Sequence, residues 1–155
     1  MGVLFMANTY SRIYIQIVFA VQFRHNLIAE ENRDELQKVM SGLLASKGVK
    51  LYAIYCMPDH VHILISMKPA HNLSDLVRDL KTSSSQFINM KRWVRGKFSW
   101  QSGFGAFSYS QSHIDNVVKY ILNQKEHHQT RTFREEYVEF LEEFKVEYKE
   151  EYIFE

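Results

Sequence analysis

Near the start of the chain, the segment YSRIYIQIVFAVQFR (10–24) alternates in character almost without a break. Ile13, Ile15, Ile17, Phe19, Val21 and Phe23 share one face, while Arg12, Tyr14, Gln16, Gln22 and Arg24 lie on the other. A period of two over this length specifies a long strand with one buried face. Everything downstream has to supply that strand with neighbours and a cover.

The next segments do so in a recognisable order. EENRDELQKVMSGLLASKG carries Leu36, Val39, Met40, Leu43 and Leu44 at helical spacing, with Gly48 as its stop. KLYAIYCM reads as a second strand, and Pro58-Asp59 as a tight connection into a third, HVHILISM. In that third strand Val61, Ile63, Ile65 and Met67 form the apolar face, which leaves His60, His62, Leu64 and Ser66 opposite. NLSDLVRDLKTSSSQFINMKR is a second helix, capped by Asn72 or Ser74, with Leu73, Leu76, Val77, Leu80, Phe87 and Ile88 as its stripe. The glycine-bearing FSWQSGFGAFSYS gives a turn and a fourth strand. Ser112 with Asp115 is a capping-box pattern for a helix over 112–128, and Thr132 with Glu135 repeats it for a last helix running to about Val146. The order is the split β-α-β-β-α-β of a ferredoxin-like α+β fold, an antiparallel sheet with additional C-terminal helices. Helices on one face would bury the isoleucines and leave the histidine face open to a ligand.

A chain of 155 residues with 46% hydrophobic and 14% aromatic content suits one domain over 1–155, with 1–9 as an N-terminal extension. MGVLFMANTY lacks the basic flank and cleavage pattern of a signal peptide, and Met6 is an alternative start. No segment has the length of a membrane span, so a cytoplasmic protein without a membrane partner is expected. The single cysteine, Cys56, excludes an internal disulfide and a cysteine-rich zinc site, and reads as a buried strand residue. The net charge of +1 hides an asymmetry: residues 133–155 hold nine glutamates and three basic residues, while the first 132 hold 16 basic and nine acidic. A basic body with an acidic tail (132–155) suits a polyanion partner, and equally a tail that is a packing helix with a solvated face.

His60 and His62, one residue apart on a strand, project together. Such a pair is an oriented half of a metal site, or two hydrogen-bonded histidines, until further ligands are found. The helix after the fourth strand has Ile114, Val117, Val118, Ile121 and Leu122 as its apolar stripe, and Tyr120 flanks it. His113, Asn116, Gln124 and His127 project on the same side, with Tyr120 and Gln124 as i, i+4 neighbours. Tyr120 is either a rim tyrosine or a nucleophile. A phenol beside an amide oxygen able to join two histidines on a metal is an assembly for phosphoryl transfer.

MPDHVHILI, DLKTSSSQFIN, WQSGFGAFSYS and VVKYILNQKEHH occur in this order over nearly the whole chain. Together they resemble the single-tyrosine HUH transposases of small insertion sequences, the TnpA type, related to the REP-associated tyrosine transposases. No core position departs from that pattern. The resemblance implies that His60, His62 and Gln124 ligate a divalent ion, Mg²⁺ or Mn²⁺, and that Tyr120 attacks single-stranded DNA. The implied product is a covalent 5′-phosphotyrosine with a released 3′-hydroxyl, at ends marked by DNA hairpins. It also implies a homodimer in which the tyrosine helix of one chain can act in trans on the histidines of the other. Lys81, Ser83, Ser84, Lys91, Arg92, Arg95 and Lys97 cluster before the fourth strand, with Trp93 and Trp100 among them. The basic members are expected to meet DNA phosphates, and the tryptophans either unstacked bases or the core. Asn116 and His127 are accessory candidates, with His71 and His128 weaker ones. A non-cleaving hairpin-binding protein and a plasmid-type HUH nuclease are the competing readings.

Overall fold

The computed structural model describes residues 9–154, so the expected N-terminal extension lies almost wholly outside the described residues. Four strands, β1 (Ile13–Ala20), β2 (Lys50–Cys56), β3 (His60–Met67) and β4 (Gly105–Tyr109), form one antiparallel sheet in the order β2-β3-β1-β4. Helices α1 (Arg33–Ser46) and α2 (Leu73–Lys91) intervene as the split order predicts. After β4 come α3 (Ile114–Leu122), α4 (Gln124–His127), α5 (Phe133–Glu143) and α6 (Glu150–Ile153). The fold is α+β, with β1 and β3 paired at the centre, where Ile17 faces Ile63 and Val18 faces His62.

The first strand stops sooner than its alternation does. Val21 makes only an isolated bridge to Trp100, and Phe23 and Arg24 adopt left-handed φ values of 58° and 56°. This turn throws Phe23 out of the expected core face to 53% exposure. The alternation is otherwise kept: Ile17, Phe19 and Val21 meet Val61, Ile63 and Ile65 under α1 and α2, whose Leu36, Met40, Leu44, Leu76, Val77, Leu80 and Ile88 are buried. Each such aliphatic side chain contributes about 1.5–3 kcal/mol by leaving water. Gly48 ends α1 with φ +72°, and the Asn72 side chain caps α2 by accepting from the Asp75 amide.

The expectation of helices on one face only is overturned. The second face of the sheet is covered as well, by α3 over Tyr14, Ala53 and Leu64, and by α5 over Val18, Ala20 and Phe107. The reason is visible in β1, whose outward positions between Gln16 and Gln22 are Val18 and Ala20, both apolar. The histidine face is therefore interior.

Three C-terminal boundaries also differ. The Ser112–Asp115 capping box does not form; Ser110 Oγ instead hydrogen-bonds Ser112 Oγ at 3.0 Å and His113 Nδ1 at 2.8 Å, and a 3₁₀ turn leads into α3. The helix expected over 112–128 breaks at Asn123 into α3 and α4. The Thr132–Glu135 box does form, and α5 ends at Glu143 rather than near Val146. Among the described residues no helix is long and apolar enough to cross a membrane.

Candidate active site

His60 and His62 extend from alternate positions of β3 with ring centroids 5.0 Å apart, and both are fully buried. Burial makes every polar contact count, so the hydrogen-bond partners of each ring nitrogen decide what the site is. His60 Nδ1 lies 2.7 Å from Asp59 Oδ1. His62 Nδ1 lies 2.7 Å from Gln16 Oε1, whose own Nε2 donates to the Tyr109 hydroxyl at 2.8 Å. A third histidine, His128, places Nδ1 2.9 Å from the Arg131 carbonyl oxygen. All three Nδ1 atoms thus face pure acceptors and must carry the proton. In the neutral rings that leaves three Nε2 lone pairs.

Those lone pairs converge. Glu136 Oε1 lies 2.9 Å from His62 Nε2, 3.0 Å from His128 Nε2 and 3.6 Å from His60 Nε2. Gln124 Oε1 lies 3.0 Å from His128 Nε2 and 3.4 Å from His60 Nε2. Five acceptor atoms aimed at one buried point repel one another unless a proton or a cation stands between them. His60, His62, His128 and Glu136 place one ligand atom each within 4.8 Å of all the others, a group that could hold a metal ion. The donor set fits one: oriented imidazoles, each held by an outer acceptor, with a carboxylate and an amide oxygen to satisfy a hard divalent ion.

The protonation equilibria follow from the same contacts. Burial disfavours the charged form of Glu136, but the positive charge shared among the imidazoles that converge on it, with the hydrogen bond from His128, outweighs this and holds the carboxyl well below its usual range. For His62 burial wins over the attraction of Glu136, and its pKa is lowered. For His128 burial also opposes charge, yet the Glu136 hydrogen bond and charge prevail and its pKa is raised. The site accordingly favours the charged form of His128 and disfavours that of His62.

Tyr120 stands at the edge of this cluster, with its ring centroid 6.2 Å from that of His62 in the same chain. Its hydroxyl donates to Glu136 Oε2 and accepts from Arg131 Nη2. Burial, reinforced by the Glu136 charge and hydrogen bond, raises the phenol pKa well above its usual value, and the Arg131 charge and a Gln124 hydrogen bond offset only part of this. Tyr120 also lines a cavity of about 520 Å³ beside the cluster, which makes the phenol the accessible element of an otherwise buried site. His127 stacks on the Tyr120 ring at 4.4 Å and 23°, and its buried Nε2 has no hydrogen-bond partner among the described residues. It braces the phenol and is not one of the clustered groups.

The fold thus brings His60, His62, Gln124 and Tyr120 together, with Asn116 on the wall of the cavity. It does not bring the basic cluster to the same place. Lys91, Arg92, Arg95 and Lys97 are exposed around the end of α2, on the other side of the sheet, with Lys91 paired to Glu35 at 3.3 Å. Lys81 Nζ donates to the carbonyls of Gln101 and Gly103, and Ser83 is half-buried. Ser84 is fully buried: its hydroxyl donates to the Leu80 carbonyl and accepts from Trp100 Nε1 at 2.8 Å. It is a core hydrogen-bonding residue, and Trp100 is a core tryptophan. Cys56 is buried as expected, and burial pushes its thiol up to about 12.

Sequence reasoning missed Gln16, Asp59, Arg131 and Glu136, and undervalued His128. One signal for Glu136 was available. It falls three residues after Phe133 and four before Phe140, on the apolar stripe of α5, where a charge is tolerated only with buried partners.

A family model described as "Transposase IS200 like" matches residues 9–124. The chain is 26% identical over 113 residues to the ISDra2 transposase TnpA of Deinococcus radiodurans, covering 70% of this chain and 81% of that one. It is 28% identical over 126 residues to the transposase for insertion sequence element IS200 of Salmonella typhimurium, covering 77% and 83%. A crystal structure of a candidate transposase from Deinococcus radiodurans superposes with a TM-score of 0.60 at 24% identity, covering 76% of this chain and 95% of that one. A REP-associated tyrosine transposase bound to a REP hairpin superposes with a TM-score of 0.59 at 14% identity, covering 79% and 72%. At these identities the two structures speak for a shared fold. The family match includes Tyr120 and ends at Gln124, whereas His128, Arg131 and Glu136 lie beyond it.

Proposed function

Because this chain belongs to the IS200-like transposase family, we propose that it cleaves and rejoins single-stranded DNA at hairpin-marked element ends, with Tyr120 as the nucleophile. The observation that carries the reading is the phenol of Tyr120 at the open edge of a buried histidine cluster, hydrogen-bonded to both Glu136 and Arg131. A divalent ion, Mg²⁺ or Mn²⁺, would be held by His60, His62 and Gln124 together with Glu136, and would polarise the phosphate oxygens.

The side chains account for the rest. In the resting site Tyr120 is a neutral phenol that donates its proton to Glu136, which is therefore the first acceptor when that proton leaves. Arg131, donating to the same phenolic oxygen, favours the phenolate. The phenolic oxygen attacks phosphorus, the bond from phosphorus to the 3′ oxygen breaks, and that oxygen leaves as a 3′-hydroxyl after taking up a proton. The 5′ oxygen stays bonded, so the product is a 5′-phosphotyrosine ester. Attack by another 3′-hydroxyl reverses the step and rejoins DNA without a nucleotide cofactor. The exposed Lys91, Arg92, Arg95 and Lys97 are proposed to bind hairpin phosphates by their charge, and the shared fold with a hairpin-bound relative motivates the choice of a hairpin as the DNA partner. A homodimer would offer two such sites to two DNA ends.

The test is an SDS-resistant protein–DNA adduct formed on a single-stranded hairpin substrate with Mn²⁺. Wild type should form it, whereas Tyr120→Phe should fold normally and form none. An equal yield from Tyr120→Phe would remove Tyr120 from the reaction, and metal-independent hairpin binding without any adduct would favour the non-cleaving reading.

A further inference from the structure

The cavity beside Tyr120 is larger than the phenol needs and is built unlike a phosphate site. Its volume, about 520 Å³, falls within the range of small-ligand pockets. Three carboxylates, Glu136, Glu139 and Glu143, line it against one guanidinium, Arg131, which already bonds Glu139 and the Tyr120 hydroxyl. The Glu139 and Glu143 side of such a wall repels a phosphate, so the scissile phosphate would sit at the Tyr120–Arg131 end and leave the rest of the cavity to another group. Part of the remaining lining is aromatic: Phe140 on α5, Phe144 just past its end, and Tyr109 from β4, whose ring meets Phe144 edge-on at 5.4 Å; polar side chains, Ser108, Ser110 and His113 among them, complete it. At the rim, Asn116 and Glu143 are exposed and make no hydrogen bond among the described residues. An aromatic slot with a free amide and a free carboxylate at its mouth suits a flat, uncharged ring with polar edges.

We propose that this cavity holds the base of the nucleotide that remains attached to Tyr120, the first one 3′ of the scissile phosphate. The proposal rests on Tyr120 being the nucleophile. In an in-line displacement the leaving 3′ oxygen lies opposite the attacking phenol, so the nucleoside it carries is directed away from Tyr120. The nucleoside on the 5′ oxygen is bonded to phosphorus at the side of that axis, alongside the tyrosine. Asn116 lies one turn before Tyr120 on α3, so the slot runs beside the phenol rather than beyond the phosphate. The free Glu143 carboxylate can only accept hydrogen bonds. It therefore favours a base with an amino group on its pairing edge, cytosine, adenine or guanine, over thymine, whose single imino proton is flanked by carbonyls. Holding this base would keep the covalently attached end in place until a 3′-hydroxyl arrives.

The test uses full-length protein and hairpin substrates that differ only at that nucleotide, scored by adduct yield and by rejoining. An abasic residue there should lower the adduct-forming rate by roughly tenfold or more, the scale of one lost base–aromatic stack. An abasic residue on the 5′ side of the scissile phosphate should leave it near the intact value. Thymine should be disfavoured about tenfold against cytosine, and Glu143→Gln should erase most of that preference. Binding of dCMP and dTMP to Tyr120→Phe, followed by amide chemical shifts of Asn116 and Phe144, gives a readout that needs no cleavage. If no adduct forms on any substrate yet dCMP shifts these amides more than dTMP, the pocket stands and the nuclease reading fails. Adducts insensitive to the base, or nucleotide titrations that leave Asn116 and Phe144 unmoved, overturn the pocket.

Discussion

Replacing Glu136 with glutamine keeps the shape of the side chain and removes the charge on which three imidazoles converge. Glu136 Oε1 lies 2.9, 3.0 and 3.6 Å from the Nε2 atoms of His62, His128 and His60. Without a metal ion the loss should be modest, about 1 kcal/mol, because the new amide can donate to an imidazole lone pair. With an ion the loss should be larger. At an Mn²⁺ concentration of about 100 times the wild-type Kd, binding adds roughly 2.7 kcal/mol to folding stability. For a chain of this size that raises Tm by about 5–11 °C. Removing the carboxylate should weaken the ion at least about tenfold, the smallest effect typical even of groups that only orient ligands. The variant would then gain roughly 1.4 kcal/mol at the same concentration, so its rise in Tm would be about half that of wild type. Thermal unfolding with Mn²⁺ and with EDTA measures both quantities. An ion-induced rise that is equal in the two proteins would refute the convergence argument, since Glu136 would then lie outside the ion's coordination.

Gln16→Leu removes the acceptor of His62 Nδ1 and the donor to Tyr109, and should cost about 1–3 kcal/mol in urea unfolding while weakening Mn²⁺ binding. Ser84→Ala leaves the Trp100 indole N–H unpaired in the core, so a similar loss of stability is expected, with hairpin affinity unchanged if Ser84 makes no DNA contact. The pH dependence has a definite sign at His128, whose pKa is raised by Glu136 despite burial. Its stabilising contribution should be fully present below the ordinary histidine value of about 6.5 and be lost as pH rises through the higher folded value. The stability difference between wild type and His128→Gln in EDTA should therefore shrink from pH 6 to pH 9; a difference that grows would contradict the assignment.

Several features of the site are legible in the sequence. Alternation in HVHILISM puts His60 and His62 on the face opposite Val61 and Ile63, and the sheet keeps them there. Helical spacing makes Tyr120 and Gln124 neighbours, and the break at Asn123 leaves Gln124 buried within reach of His60. The Thr132–Glu135 box announces α5 and forms. These are local regularities, set by steric period and by hydrogen bonds within a few residues, so the sequence by itself determines them.

What covers the histidines was decided elsewhere. Val18 and Ala20 offer a second apolar face, but only packing against α3 and α5 turns that face into a core. Glu136 read as one more glutamate of an acidic tail. Its partner His62 is 74 residues away, and its charge is stable only because imidazoles from β3 and from the turn after α4 surround it. The tautomers have the same origin, since each depends on an acceptor that only the assembled chain delivers: Gln16 from β1 for His62, and the Arg131 carbonyl for His128. Side-chain period is a property of neighbours in sequence, whereas compensating a buried charge requires groups distant in the chain. Tertiary structure alone turned two histidines and a tyrosine into a closed, oriented site.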